Sequence, residues 1–297
     1  MTAFQKIALL GKGNLGSVLL DELLKAQFTV TVLSRSSNST GDLPPGVTSK
    51  QVDYTSIESL KTALQSHDVV ISTITPAAIP LQKPIIDASI QAGVKRFIPA
   101  EFGAMSSDPA AKHLPIHAPA VEIQDYLAEK SKAGEIEHTI FGVGLFLELL
   151  CSVPHIVDFE NHAVSLYDGG VKPFSVSRLS TVAKAVVASL QKPDQTRNRV
   201  VRVHDTVLTQ RQVFDMAKKH SPGETWSETS LDAEAEVARA LGSLQKGFDP
   251  ALLAALFVAA LLSGKYGAAY SQVDNGLLGL GFLSEEEVEQ FGLAMGD

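Results

Sequence analysis

Three glycines near the start of the chain have the spacing that diphosphate binding needs. They lie in the run Gly11-Lys12-Gly13-Asn14-Leu15-Gly16, which reads G-x-G-x-x-G. One such glycine permits a tight turn, one lets backbone amides approach a pyrophosphate, and one lets a helix pack close to a strand. The helix that follows offers free N–H groups and a partial positive charge to the phosphates. The motif carries this meaning only between a strand and a helix. Both flanks are present. Lys6 to Leu10 is a short apolar run suited to a buried strand, and Leu15, Val18, Leu19, Leu23 and Ala26 recur at helical spacing. Gly11, Gly13, Asn14, Leu15 and Gly16 are therefore the expected cradle for a dinucleotide.

The adenosine end has its own signal. Phe28 to Leu33 is a second strand, rich in β-branched residues, and Ser34-Arg35-Ser36 follows it. An acid near this point would bond the ribose hydroxyls of NAD. The nearest acid is Asp42. Arg35 instead offers a cationic fork, with Ser34 and Ser36 as hydroxyl donors, a set suited to a 2′-phosphate. The expected cofactor is NADP(H). Another buried strand, Asp68 to Thr73, ends in Thr73-Ile74-Thr75, and ligands of open α/β sheets gather beyond such strand ends. These three residues are expected beside the cofactor.

The elements that must hold these groups alternate. Val47 to Val52 reads as a short strand, and Thr55 with Glu58 as a capping box opening a helix to about Ser66. A helix over 81–92 precedes a strand over 95–99. A helix from about Pro119 to Gly134 precedes a strand over 138–143. This alternation predicts a Rossmann-type doubly wound parallel sheet. The second half is less regular: a strand and turn over 163–170, a helix over 180–190, a strand over 199–204, then helices over 209–220, 226–244, 251–262 and 285–291, the last capped by Ser284. Residues 1–153 are expected to form the NADP-binding domain, and 154–297 a smaller α/β substrate-binding region, with about 174–204 returning to the first.

Composition bounds the partners. The chain has 297 residues, 45% hydrophobic, with a net charge of −8. This acidic balance argues against nucleic acid or an anionic membrane as partner. The longest apolar stretch, Ala251 to Leu262, is too short to span a bilayer. Cys151 is the single cysteine, so no internal disulfide forms, and a reducing, cytoplasmic setting is expected. The eight histidines lack metal-ligand spacing, so no metal is expected. The expected partner is a small molecule, bound by a monomer or homodimer.

At Arg96-Phe97-Ile98-Pro99-Ala100-Glu101-Phe102-Gly103 the chain resembles the NmrA-like and isoflavone-reductase-like family, atypical short-chain dehydrogenase/reductases. The glycine loop, Ser34-Arg35, the strand Val69 to Thr73, the run His138 to Phe146 and the turn Tyr167 to Gly170 fit as well. Ascomycete secondary-metabolism members look most similar. The likeness covers roughly residues 5–210 by these motifs. The plant reductases place their first glycine one residue earlier, where this chain has Leu10.

The resemblance implies that Glu101 and Phe102 sit beside the cofactor. It also implies a proton-transferring lysine at the start of the helix before the sixth strand, where this chain has Ala120. Tyr126 and Lys130 match a Y-x-x-x-K pair, but they fall too far along that helix to reach the strand ends. His117, three residues before Ala120, is the candidate catalytic group, since imidazole gives or takes a proton near neutral pH. His113 stands nearby as a substrate contact. Phe146 and Leu147, after the sixth strand, and Tyr167 are further expected substrate contacts, with Phe174, Tyr266 and Tyr270 completing an apolar wall. The expected function is NADPH-dependent reduction of a small apolar metabolite, aromatic or polyketide-like. The alternatives are a non-redox dehydratase, isomerase or cyclase on the same scaffold, and a non-enzymatic NADP-binding sensor.

Overall fold

A computed structural model describes residues 4–35, 43–152 and 156–293. The chain opens with β1 (Lys6–Leu10), whose last four residues are fully buried, and α1 (Asn14–Lys25), which buries Leu19, Leu20 and Leu23. Next come β2 (Thr29–Ser34), β3 (Thr48–Gln51) and α2 (Ile57–Leu64). The cap of α2 is Ser56, which accepts from Ser59 N, and not Thr55. Thr55 Oγ1 instead donates to Asp53 at 2.7 Å. The helix stops at Leu64 because Ser66 takes a left-handed conformation, φ +66°.

Then follow β4 (Val69–Ser72), a 3-10 turn (Pro76–Leu81), α3 (Gln82–Gln91), β5 (Arg96–Ile98), the short β6 (Phe102–Gly103), α4 (Ala118–Lys132) and β7 (Glu137–Gly142). The two-residue β8 (Leu145–Phe146) runs into a second 3-10 segment (Leu147–Ser152). Beyond it lie β9 (Ala163–Tyr167), β10 (Pro173–Ser177), α5 (Leu179–Gln191), α6 (Pro193–Thr196), β11 (Arg199–Arg202), β12 (Thr206–Thr209) and α7 (Gln210–His220). The chain closes with β13 (Ser227–Leu231), α8 (Ala233–Leu244), α9 (Pro250–Leu262), α10 (Asn275–Leu278) and α11 (Glu285–Leu293).

The main sheet runs β11-β7-β5-β4-β1-β2-β3, with β6 paired to β7, and its pairs are parallel. Helices cover both faces, as a parallel sheet requires. α1 and α5 pack together on one face, and α2, α3 and α4 line the other. This is the Rossmann-type α/β fold. β11 joins its edge, whereas β10 leaves it for a second sheet in the order β12-β10-β8.

A third cluster of buried apolar side chains lies away from the main sheet. It joins Leu147 and, from the second half of the chain, Phe174, Phe214, Leu256 and Leu261. One element here departs from expectation. Residues 227–231 form β13, parallel to β9, rather than the start of a helix over 226–244. Thr229 and Ser165 exchange a side-chain hydrogen bond of 2.9 Å across that pair. The polar strand is held by its neighbour, a contact that local periodicity does not register. No helix among the described residues is long and apolar enough to cross a membrane.

Two polar ties fasten the halves. Arg96 is fully buried in β5 and donates to Glu137 of β7 at 2.7 Å and to Pro193 O at 2.8 Å. Glu148 accepts from Leu179 N at 2.9 Å, which caps α5 from the 3-10 segment after β8.

Candidate active site

The glycine loop is shaped by contacts that admit no side chain. Gly11 has φ +95°, and a Cβ on it would approach Thr73 O to 3.0 Å. A Cβ on Gly16 would lie 2.4 Å from Gly11 O and 2.8 Å from Thr73 Oγ1. Thr73 holds this arrangement by donating to Leu10 O at 3.1 Å and Gly11 O at 2.9 Å. Its hydroxyl therefore braces the loop rather than facing a ligand. Gly13, by contrast, opens onto empty space and is the N-cap of α1, with no side chain capping that helix end. The first-turn amides of α1 are left for a ligand, and no acid stands there to repel phosphate. Asn14 is exposed in that turn, and Leu15 packs its side chain into the core. The residues present thus fit a dinucleotide pyrophosphate.

A cavity of about 490 Å³ lies over this loop, lined by Gly11, Lys12, Gly13, Ser34, Arg35, Tyr54, Thr73, Ile74, Thr75 and Ala78. It brings together the carboxyl ends of β2, β1 and β4. Arg35 is exposed at the end beyond β2. Ser36 lies outside the described residues. Lys12, Tyr54 and Ala78 were not anticipated. Lys12 is inside the glycine motif and adds a second cation to the cavity. Tyr54 forms a wall, its hydroxyl donating to Leu33 O at 3.3 Å.

A second cavity, about 450 Å³, lies over the carboxyl ends of β5 and β7. β4 neighbours β5 in the sheet, so the two cavities lie along one edge. The 3-10 turn after β4 supplies Ala78 to the first cavity and Ile79 to the second. Glu101 and Phe102 line the second cavity, not the glycine-loop crevice. Phe102 stacks on Phe141 at 5.9 Å between ring centres. Ser106, Ile116, His117, Ala120, Phe146, Leu149, Leu150 and Phe257 also line it.

Three expected substrate contacts lie elsewhere. His113 is exposed and sits 6.3 Å from the Tyr266 ring. Leu147 and Tyr167 are buried in the apolar cluster of the second half, as is Phe174. They follow the strand ends in sequence, but their side chains turn into the core. Tyr270 is a structural tie. Its hydroxyl accepts from Gly144 N at 3.0 Å and donates to Ala104 O at 2.7 Å.

The polar groups of the second cavity are unusual. His117 is the residue before α4; its Nε2 is buried with no hydrogen-bond partner, and its ring meets Phe257 edge-on at 6.4 Å. Burial pushes this imidazole down to about 4, so it is neutral at physiological pH. The expectation of a group poised near neutrality is corrected accordingly. Ala120 lines the wall at the position where the resemblance implies lysine. Glu101 is 8% exposed, and burial holds its carboxyl above the usual carboxylate range. Ser106 Oγ donates to Glu101 Oε1. Tyr126 and Lys130 are remote from this chemistry. The Tyr126 hydroxyl donates to Asp87, and Lys130 pairs with Glu135 at 3.4 Å.

A doubly wound sheet with ligand cavities along the carboxyl ends of its strands defines the class, a Rossmann-type nucleotide-binding protein. Within that class the chain belongs to the NmrA-like family, whose model matches residues 4–266. It is 36% identical over 251 residues to the oxidoreductase aprR of Aspergillus flavus, covering 82% of each chain. It is 29% identical over 243 residues to the oxidoreductase poxI of Penicillium oxalicum, covering 79% of this chain and 75% of that one. Its fold resembles a leucoanthocyanidin reductase–NADPH complex from Vitis vinifera, with a TM-score of 0.77, 17% identity and 98% of this chain and 100% of that one covered.

Proposed function

We propose that this protein is an NADPH-dependent reductase of a small, neutral, largely apolar metabolite of aromatic or polyketide-like type. One observation carries the reading. A phosphate cradle with cations at its rim and an apolar cavity share one sheet edge, bridged by a single turn. The first cavity suits a dinucleotide, with the amides of the Gly11–Gly16 loop toward the pyrophosphate and Arg35 toward a 2′-phosphate. NADPH, when bound, supplies hydride. The relatives named as oxidoreductases support this direction.

The chain's own groups do the rest. The apolar lining, Phe102, Ile116, Phe146 and Phe257, takes substrate by exclusion of water. No lysine or arginine is among the described lining residues, so an anionic substrate meets no counter-charge. The unpartnered His117 Nε2 is positioned to bond a polar atom of the substrate. The test is stoichiometric. Purified protein is mixed with NADPH and menadione or trans-chalcone, and NADPH absorbance and product are followed together. One NADPH consumed per product is expected.

Ala120 favours one other reading, an acid–base enzyme that binds NADP(H) without oxidising it. Product formed with no loss of NADPH absorbance would establish that reading instead.

A further inference from the structure

We propose that Glu101 is the proton donor to the substrate, standing in for the amine that Ala120 lacks. This rests on the reductase reading above. Glu101 follows β5 at the carboxyl edge of the sheet and lines the apolar cavity together with His117 and Ala120. Its carboxyl is held by Ser106, whose Oγ donates to Oε1. Gln124 of α4 lies beside the same carboxyl; its amide and the Ser106 hydroxyl favour the ionised form, and burial outweighs them. The Tyr270 hydroxyl also faces this carboxyl but is committed to Gly144 N and Ala104 O.

No described cation on the cavity wall compensates an ionised Glu101. Desolvation therefore favours the neutral acid, which carries a transferable proton. His117 is complementary: neutral at physiological pH, it has a bond to offer but no spare proton to lose. As hydride reaches an electrophilic carbon of the substrate, electrons move to its neighbouring atom. That atom takes the Glu101 proton. The O–H bond breaks, its electron pair stays on the carboxylate, and water later restores the proton. The sum is one hydride and one proton gained by the substrate.

Two measurements test this. In infrared difference spectra at neutral pH, wild type minus Glu101→Gln is expected to show a protonated carboxyl band, with or without NADP+. Absence of that band overturns the proposal. In the second, menadione and trans-chalcone are the probes. Glu101→Gln is expected to keep NADPH affinity by fluorescence titration and to lose about 100-fold or more in kcat. The wild type is expected to lose activity on the alkaline side as the acid ionises, a limb that Glu101→Gln lacks and Glu101→Asp retains. Equal turnover by wild type and Glu101→Gln overturns the proposal alone. Wild-type protein that binds NADPH but consumes none with either probe overturns the reductase reading, and the proposal with it.

Discussion

At the scale of single residues, the site separates cofactor choice from proton chemistry. Arg35 reaches the first cavity from the end of β2, where an NAD-binding chain would carry an acid. Removing a charged partner of an exposed phosphate costs about 1–2 kcal/mol, or roughly tenfold. Arg35→Ala is therefore expected to weaken NADPH about tenfold and leave NADH nearly unchanged, as measured by calorimetric titration of both. Equal losses for the two cofactors would refute a 2′-phosphate role. His117 offers a different contrast. A neutral imidazole that bonds substrate contributes about 1 kcal/mol through that bond. His117→Ala is expected to raise KM severalfold with a small change in kcat, unlike a change at Glu101. Steady-state kinetics on menadione separates the two patterns.

At the scale of elements, the loop after β1 and the tie around Tyr270 set the geometry. A methyl at Gly16 must push α1 from the loop, because Gly11 O stands 2.4 Å from the added carbon. Gly16→Ala is expected to destabilise by about 1–3 kcal/mol, in the range of overpacking, and to weaken NADPH together with it. Thermal melts with and without NADPH read both. Tyr270→Phe strips a buried bond from Gly144 N and another from Ala104 O, at a cost of about 1–3 kcal/mol. It is expected to lower stability and loosen the substrate cavity while NADPH affinity holds. These elements differ in how far the sequence reveals them. The strand, glycine turn and helix of residues 6–25 are local, and each obeys its own periodicity. Thr73 was legible as a neighbour of the loop, although its hydroxyl proves to brace the turn. Lys12 stood inside the motif unread. Ser106, just past β6, carried no signal of its own, and Phe257 reaches the cavity only because α9 returns to it from far along the chain. β13 was misread for the same reason, since its partner β9 lies some 60 residues earlier.

At the scale of the whole molecule, the buried imidazoles govern how the fold responds to acid. His67, His117, His138 and His204 are all shifted down, chiefly by burial, with His117 and His138 at about 4. In the unfolded chain each titrates near 6.5. Below that pH the unfolded state binds protons that the folded state refuses, so folding stability falls as pH drops and goes on falling to about 4. Glu101 and Glu148 act in the opposite sense, because burial raises their carboxyls and makes rising pH costly. Their effect sets in above the ordinary carboxylate range, so across about pH 5 to 7 it opposes the histidine slope and offsets part of it. Asp68, held low by Lys95 and by the amides of Gln5 and Lys6, adds a further loss at the acid end. At about pH 5 each strongly shifted histidine is worth roughly 2 kcal/mol. Urea unfolding is therefore expected to show lower stability at about pH 5 than at about pH 7. The double variant His117→Phe, His138→Gln should recover much of that difference while starting from its own neutral-pH baseline. A double variant with the same pH slope as the wild type would mean that neither ring is kept neutral by the core.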